Sequence, residues 1–362
     1  MISRVADHCF WFGRYLERAE STARLLQTSA NLALDGDLRP IQVWQPVGIT
    51  AGEEEAFIQK HGADALADGE AVQEHLALDR EVAASLTRSV QAARENARSV
   101  REVVSLEVWE TINELHLWLQ GPAAREEFHE HRYGFYRRVR SEAQLCLGLL
   151  RGTMLHDTPL HFIWLGVLIE RTGQTARILD VHHHAFSLAI APSLEKGPDA
   201  QEAQQIVEVS LWLSLLRTCY GFEPFMKLHR GAVTGEAAAA FLIFEPRFPR
   251  SVRHCVRRVH ELLEEVRPVK SGLPARALQR VHVLEEALSA RAEERLGALD
   301  MHALLTEVVD QMHQVCDELA AELLGPPAPA EPPVAVAPAA ALSAGQAEAQ
   351  TQSQAQEIRS NG

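Results

Sequence analysis

With 362 residues, 46% of them apolar, the chain is long enough for two average domains or for one larger unit with a real core. Its formal net charge of −14 at pH 7 excludes a general nucleic-acid surface. Only Lys60, Lys196, Lys227 and Lys270 are lysines, so positive charge is carried almost wholly by arginine, the side chain suited to planar, fork-shaped ion pairing.

Taken in chain order, residues 1–324 read as helix: segments rich in Ala, Leu, Glu and Arg, with apolar residues three and four apart. Helices are predicted over about 3–33, 68–87, 88–120, 124–151, 158–190, 201–220, 234–244, 249–266, 273–295 and 300–324, with breaks at Asp35-Gly36-Asp37 and Gly121-Pro122. No alternating strand pattern is found, so the expected fold class is all-α. From Gly325 the composition turns to Pro, Ala, Gln and Ser, and residues 325–362 are expected to be a disordered tail. Met1-Ile2-Ser3-Arg4 lacks the basic and apolar regions of a signal peptide, and no uncharged apolar run approaches the roughly 18 residues of a membrane-spanning helix. Cys9, Cys146, Cys219, Cys255 and Cys316 are odd in number and show no Cys-x-x-Cys spacing. They read as reduced thiols of a cytoplasmic protein.

The chain repeats itself. Trp11, Gly13, Glu17, Arg18, Thr22, Ala23 and Arg24 recur 153 residues later as Trp164, Gly166, Glu170, Arg171, Thr175, Ala176 and Arg177, and His8 recurs as His161. Trp44, Thr50, Glu55, Phe57 and His61 recur 168 residues on as Trp212, Thr218, Glu223, Phe225 and His229, and Arg88-Ser89-Val90 recurs as Arg250-Ser251-Val252 at an offset of 162. The insertions and deletions between these registers belong in loops. The expected architecture is an internally duplicated helical bundle with pseudo-two-fold symmetry, its halves at about 1–151 and 152–324.

On a helical wheel of roughly 100° per residue, Gly13, Glu17 and Arg24 share one stripe, as do Gly166, Glu170 and Arg177. Arg18 and Arg171 lie at the edge of the apolar arc. Arg14, Glu20 and Ser21 change to Val167, Gly173 and Gln174, as solvated positions do. The stripe does not change, so the two helices are expected to meet, glycine letting the backbones close up while Glu17 pairs with Arg177 and Glu170 with Arg24. Two readings of these charges stand side by side: buried ion pairs that fix register, or guanidinium groups holding a carboxylate or phosphate with a glutamate as acceptor or base. A second group, Arg94, Glu95, Asn96 and Arg98, has no counterpart after Arg250-Ser251-Val252. It is either a ligand or partner site or ordinary helix-surface pairing, such as Arg98 with Glu102.

The doubled W-x-G-x3-ER-x3-TAR pattern resembles the alpha-E domain family, a bacterial helical domain named for its Glu-Arg motif. The similarity runs through Ala93–Arg101, Glu107–Asn113 and Phe248–Val252, covering nearly all of 1–324. This chain departs from the family's usual second copy at Val167, Thr172 and Gly173. In that family the domain is typically encoded beside, or fused to, a circularly permuted ATP-grasp protein and often a transglutaminase-like protein. The resemblance therefore implies a part in ATP-dependent amide or peptide-bond formation.

Other signals lead nowhere. His182-His183-His184 point about 100° apart on a helix, and only Asp180 shares a face with His183 or His184. Glu126-x-x-His129 is a single copy where a di-metal bundle wants two, so no metal and no cofactor are expected. His8, His161, His61 and His229 read as capping or core histidines, with a pocket role as the alternative. Trp109, Trp118, Trp164 and Trp212 sit at core spacing, and no Walker loop, dinucleotide fingerprint, nucleophile elbow or zinc spacing occurs. Three functions follow: a non-catalytic or co-catalytic partner of an ATP-grasp ligase, an independent enzyme or binding protein using an Arg/Glu site for a carboxylate or phosphate, and a purely structural adaptor.

Overall fold

The computed structural model describes residues 3–34, 38–190, 198–231, 233–266, 275–292 and 300–324, without the side chains of 186–190 and 198–204. Fifteen α-helices follow in order, with no strand among the described residues. The first half holds α1 (Ser3–Leu34), α2 (Pro40–Ala51), α3 (Glu54–His61), α4 (Gly69–Leu78), α5 (Leu86–Ser99), α6 (Leu106–Gln120), α7 (Pro122–Glu130) and α8 (Arg132–Thr153). The second holds α9 (Thr158–Ile190), α10 (Pro198–Thr218), α11 (Phe222–Leu228), α12 (Gly235–Phe244), α13 (Val252–Val266), α14 (Arg276–Arg291) and α15 (Met301–Leu319). The predicted break at Asp35-Gly36-Asp37 and the tail 325–362 lie outside the described residues.

The long helices α1 and α9 match their predicted spans of 3–33 and 158–190. The predicted helices 68–87 and 88–120 are instead three, because Ser85 and Ser105 cap new N-termini, their side chains accepting from the Arg88 and Val108 amides. Likewise 124–151 is interrupted at His131. The pair α2 and α3 was not among the predicted helices. With Pro46 and Gly48 inside it, α2 has poor intrinsic propensity, and burial of Val43, Trp44 and Val47 outweighs that cost.

The core forms around α1 and α9, which pack on each other more extensively than any other pair. Their contacts recur in matched form: α5 and α8 lie on α1, α13 and α15 lie on α9, while α2 crosses to α9 and α10 to α1. Phe10, Phe12, Leu16, Leu26, Ile163, Leu165 and Leu179 are buried, each contributing about 1.5–3 kcal/mol by leaving water. The indole of Trp44 lies on the first turn of α4 and that of Trp212 on the first turn of α12. A Cβ on Gly69 or Gly235 would fall 2.4 or 2.6 Å from those rings.

Candidate functional site

The centre of the molecule is the contact between α1 and α9. A Cβ on Gly13 would lie 2.0 Å from the Ile163 carbonyl oxygen, and one on Gly166 2.0 Å from that of Phe10. No side chain fits at either place. Both glycines serve the close approach that their position in the repeated stripe implies. The contacts advance together along the two helices, Phe10 with Gly166, then Gly13 with Val167, then Glu17 with Arg171. The helices therefore run parallel, each residue level with its counterpart about 153 positions away.

That register corrects the predicted pairing. Glu17 is bound by Arg171, at 3.0 Å from Nε and 2.8 Å from Nη2, and Glu170 is bound by Arg18, at 2.9 Å from Nε and 3.3 Å from Nη2. The expected partners Arg177 and Arg24 stand seven residues further along, roughly 10 Å at 1.5 Å per residue. Adjacency of Glu and Arg is what lets the two pairs close reciprocally at one level. Each glutamate has a second arginine. Arg250, just before α13, donates to Glu17 at 2.6 Å, and Arg14 donates to Glu170 at 2.8 Å. Both carboxylates are buried, and Ser21 and Gln174 complete their shells at 3.5 and 3.2 Å.

Burial alone would raise these carboxyl pKa values. At Glu17 that effect is outweighed by Arg171 and Arg250, which hold it down at about 2. At Glu170 it is outweighed by Arg18 and Arg14, which keep it well below the ordinary value. Both are ionised acceptors with their lone pairs engaged. Neither is poised to take a proton near pH 7.

Positions read above as solvated are part of this centre. Glu20 is fully buried and joins Arg24, at 2.6 Å, to Arg250, at 3.1 Å. Arg24 Nε donates to the Thr218 carbonyl. Tyr220 was not singled out in the sequence. It lies in the turn after α10, in the left-handed region with φ of 54°, where most side chains are strained. This conformation aims its ring among Arg24, Arg140 and Arg250, whose guanidinium carbons lie 4.4, 5.1 and 5.1 Å from the ring centre. Its hydroxyl accepts from Arg140 at 2.7 Å. Arg250 was visible in the sequence only as part of a three-residue repeat. Arg14, Glu20 and Tyr220 gave no repeat signal.

Arg177 is different. Among the described residues it makes no hydrogen bond or ion pair, and its Nε is buried without a partner. The Arg94 group lies apart on α5. Arg94 reaches Asn113 at 3.1 Å and also Glu95, Glu95 pairs with Arg98, and Asn96 bonds His8 at 2.9 Å. Arg98 thus pairs three residues back rather than with Glu102, and Arg94 also lies over Trp109, 5.3 Å from the ring centre. Asn96 links this group to α1 through His8.

The histidines have local roles. His161 is 3.2 Å from Glu265, His61 packs at a tilt against Phe57, His229 stacks on Phe225, and Asp180 bonds His302 at 2.9 Å. Among the described residues no three His, Cys, Asp or Glu side chains gather as metal ligands, and no helix is long and apolar enough to cross a membrane.

Two mycobacterial proteins, the uncharacterized proteins Mb2597 of Mycobacterium bovis and MT2643 of Mycobacterium tuberculosis, are each 23% identical over 353 residues. The alignment covers 91% of this chain but 38% of theirs, so the chain spans well under half the length of these relatives. No solved structure matches it significantly. The Alpha-E family, described as a predicted alpha-helical domain with a conserved ER motif, matches residues 1–324. With its doubled Glu-Arg motif closed into one buried centre, the chain belongs to the Alpha-E family.

Proposed function

We propose that this chain is a non-catalytic helical partner of an ATP-grasp-type ligase, presenting a rigid surface to that enzyme or to its peptide-like substrate during ATP-dependent amide-bond formation. The observation that carries the non-catalytic part is the closure of the Glu-Arg motif on itself. Glu17 and Glu170 are buried, ionised and each held by two arginines. That arrangement fixes two helices in register and leaves neither Glu17 nor Glu170 free to act as a base. Ligase association follows from the family resemblance. It is consistent with relatives in which a similar unit is embedded in a chain of more than twice the matched length.

The test is co-purification of the native protein from its own cells with nucleotide present, identifying the associated chains by mass spectrometry. The expected partner is a circularly permuted ATP-grasp protein, with a transglutaminase-like protein in the same assembly. Purified together, the pair should form amide bonds and release ADP at a rate that depends on this chain. Recovery of the chain alone, together with an ATP-grasp protein whose rate is unchanged by adding it, would overturn the reading.

A further inference from the structure

The two Glu-Arg helices differ at one position in a way that leaves a charge uncompensated. In α1, Arg24 is neutralised one turn back by Glu20, and its Nε donates to the Thr218 carbonyl. In α9 the counterpart of Arg24 is Arg177, and the residue one turn back is Gly173. Arg177 has neither the carboxylate nor the carbonyl: its Nε is buried and unpartnered. Beside it the carboxylate of Glu170 faces Arg14, Arg18 and Arg177. Burial first, then repulsion by Arg18 and Arg14, lowers the Arg177 pKa to about 10 against the opposing pull of Glu170. Such an excess of buried positive charge is costly unless an anion enters.

The space that the missing side chain vacates is present. A cavity of about 10 Å³ is lined by Arg14, Glu170, Gly173, Arg177, His313 and Cys316, room for one water-sized group such as a single oxygen of a carboxylate. His313, on α15, is exposed at its edge, so the remainder of a ligand can extend into solvent. A Cβ built on Gly173 would sit 3.4 Å from Arg177 Nη1, an ordinary contact. A glutamate there could therefore reach Arg177 as Glu20 reaches Arg24.

The geometry points to a carboxylate-binding subsite at Gly173 and Arg177, in which an incoming carboxylate takes the place that Glu20 fills beside Arg24. Arg177 supplies the donors, and Gly173 supplies the room. The subsite lies beside the Glu170 ion pairs rather than in them, and does not depend on the ligase-partner reading. The carboxylate could belong to a small free acid or to a peptide C-terminus.

The test is a melting-temperature titration of the full chain with sodium acetate at constant ionic strength, alongside Arg177→Met and Gly173→Glu. Wild type should be stabilised saturably, whereas Arg177→Met, which keeps the aliphatic packing, should bind acetate at least about tenfold more weakly. Gly173→Glu should melt higher than wild type without acetate and should not respond to it. A short peptide with a free C-terminus that competes with acetate, where its amidated form does not, would assign the site to peptide ends. Acetate binding without peptide competition would assign it to small acids. Equal acetate responses in wild type and Arg177→Met, no response in either, or phosphate stabilising as well as acetate would overturn the proposal.

Discussion

Replacing Glu17 with Gln keeps the shape of the side chain and removes the charge that two buried arginines share. One carboxylate oxygen accepts from Arg171 Nε at 3.0 Å and Arg250 Nη1 at 2.6 Å, the other from Arg171 Nη2 at 2.8 Å. The amide nitrogen of Gln must face one of these guanidinium groups, donor against donor, in a site without exposed surface. Stranding a buried partner in this way costs about 3–5 kcal/mol. At roughly 2–3 °C per kcal/mol for a protein of this size, the melting temperature should fall by about 6–15 °C. Circular dichroism melts of Glu17→Gln, Arg171→Met and the double variant Glu17→Gln/Arg171→Met would measure it. The double variant should be less destabilised than the two single changes combined, with a coupling of about 1–3 kcal/mol. A Glu17→Gln protein that melts within about 1 °C of wild type would refute the structural role. The site would then have to be read as one in which Glu17 faces a ligand.

Two further outcomes follow from the same centre. Gly13→Ala and Gly166→Ala each drive a methyl group into a backbone carbonyl at 2.0 Å and should cost about 3 kcal/mol or more. Gly148→Ala, on the exposed face of α8 with nothing within 4 Å of the new Cβ, should stabilise by about 0.5–1 kcal/mol; equal melting of all three variants would count against the close approach. Glu17, Glu20 and Glu170 have depressed pKa values in the folded state. Their stabilisation is complete above the ordinary carboxyl value and is lost as pH falls toward the folded value of about 2 at Glu17. Calorimetric melting temperatures should hold level from pH 7 to pH 5 and fall steeply below about 4.5, with a contribution of about 3 kcal/mol from Glu17 alone. Unfolding complete above pH 5 would show that other groups dominate.

The sequence by itself determined the all-α class, the extents of α1 and α9, and the need for glycine where they touch. Those properties are local: apolar spacing sets the buried face of a helix, and a glycine retained in a repeated stripe marks a surface too close for a Cβ. The identity of Glu17, Arg18, Glu170 and Arg171 as one group was also legible, because they recur as a unit. Their partners were not. Whether two helices run parallel, and which residues stand level, depends on contacts more than 150 residues apart, and only the observed register moved the pairs from Arg177 and Arg24 to Arg171 and Arg18. Tertiary packing likewise made a helix of Pro40–Ala51 against its propensity. It brought Arg250 from outside the repeated helix onto Glu17, and it turned Arg14 and Glu20 from apparent surface residues into partners within the central ion-pair cluster. It also exposed the consequence of Gly173, since an unneutralised arginine beside a cavity exists only once α15 has closed over α9.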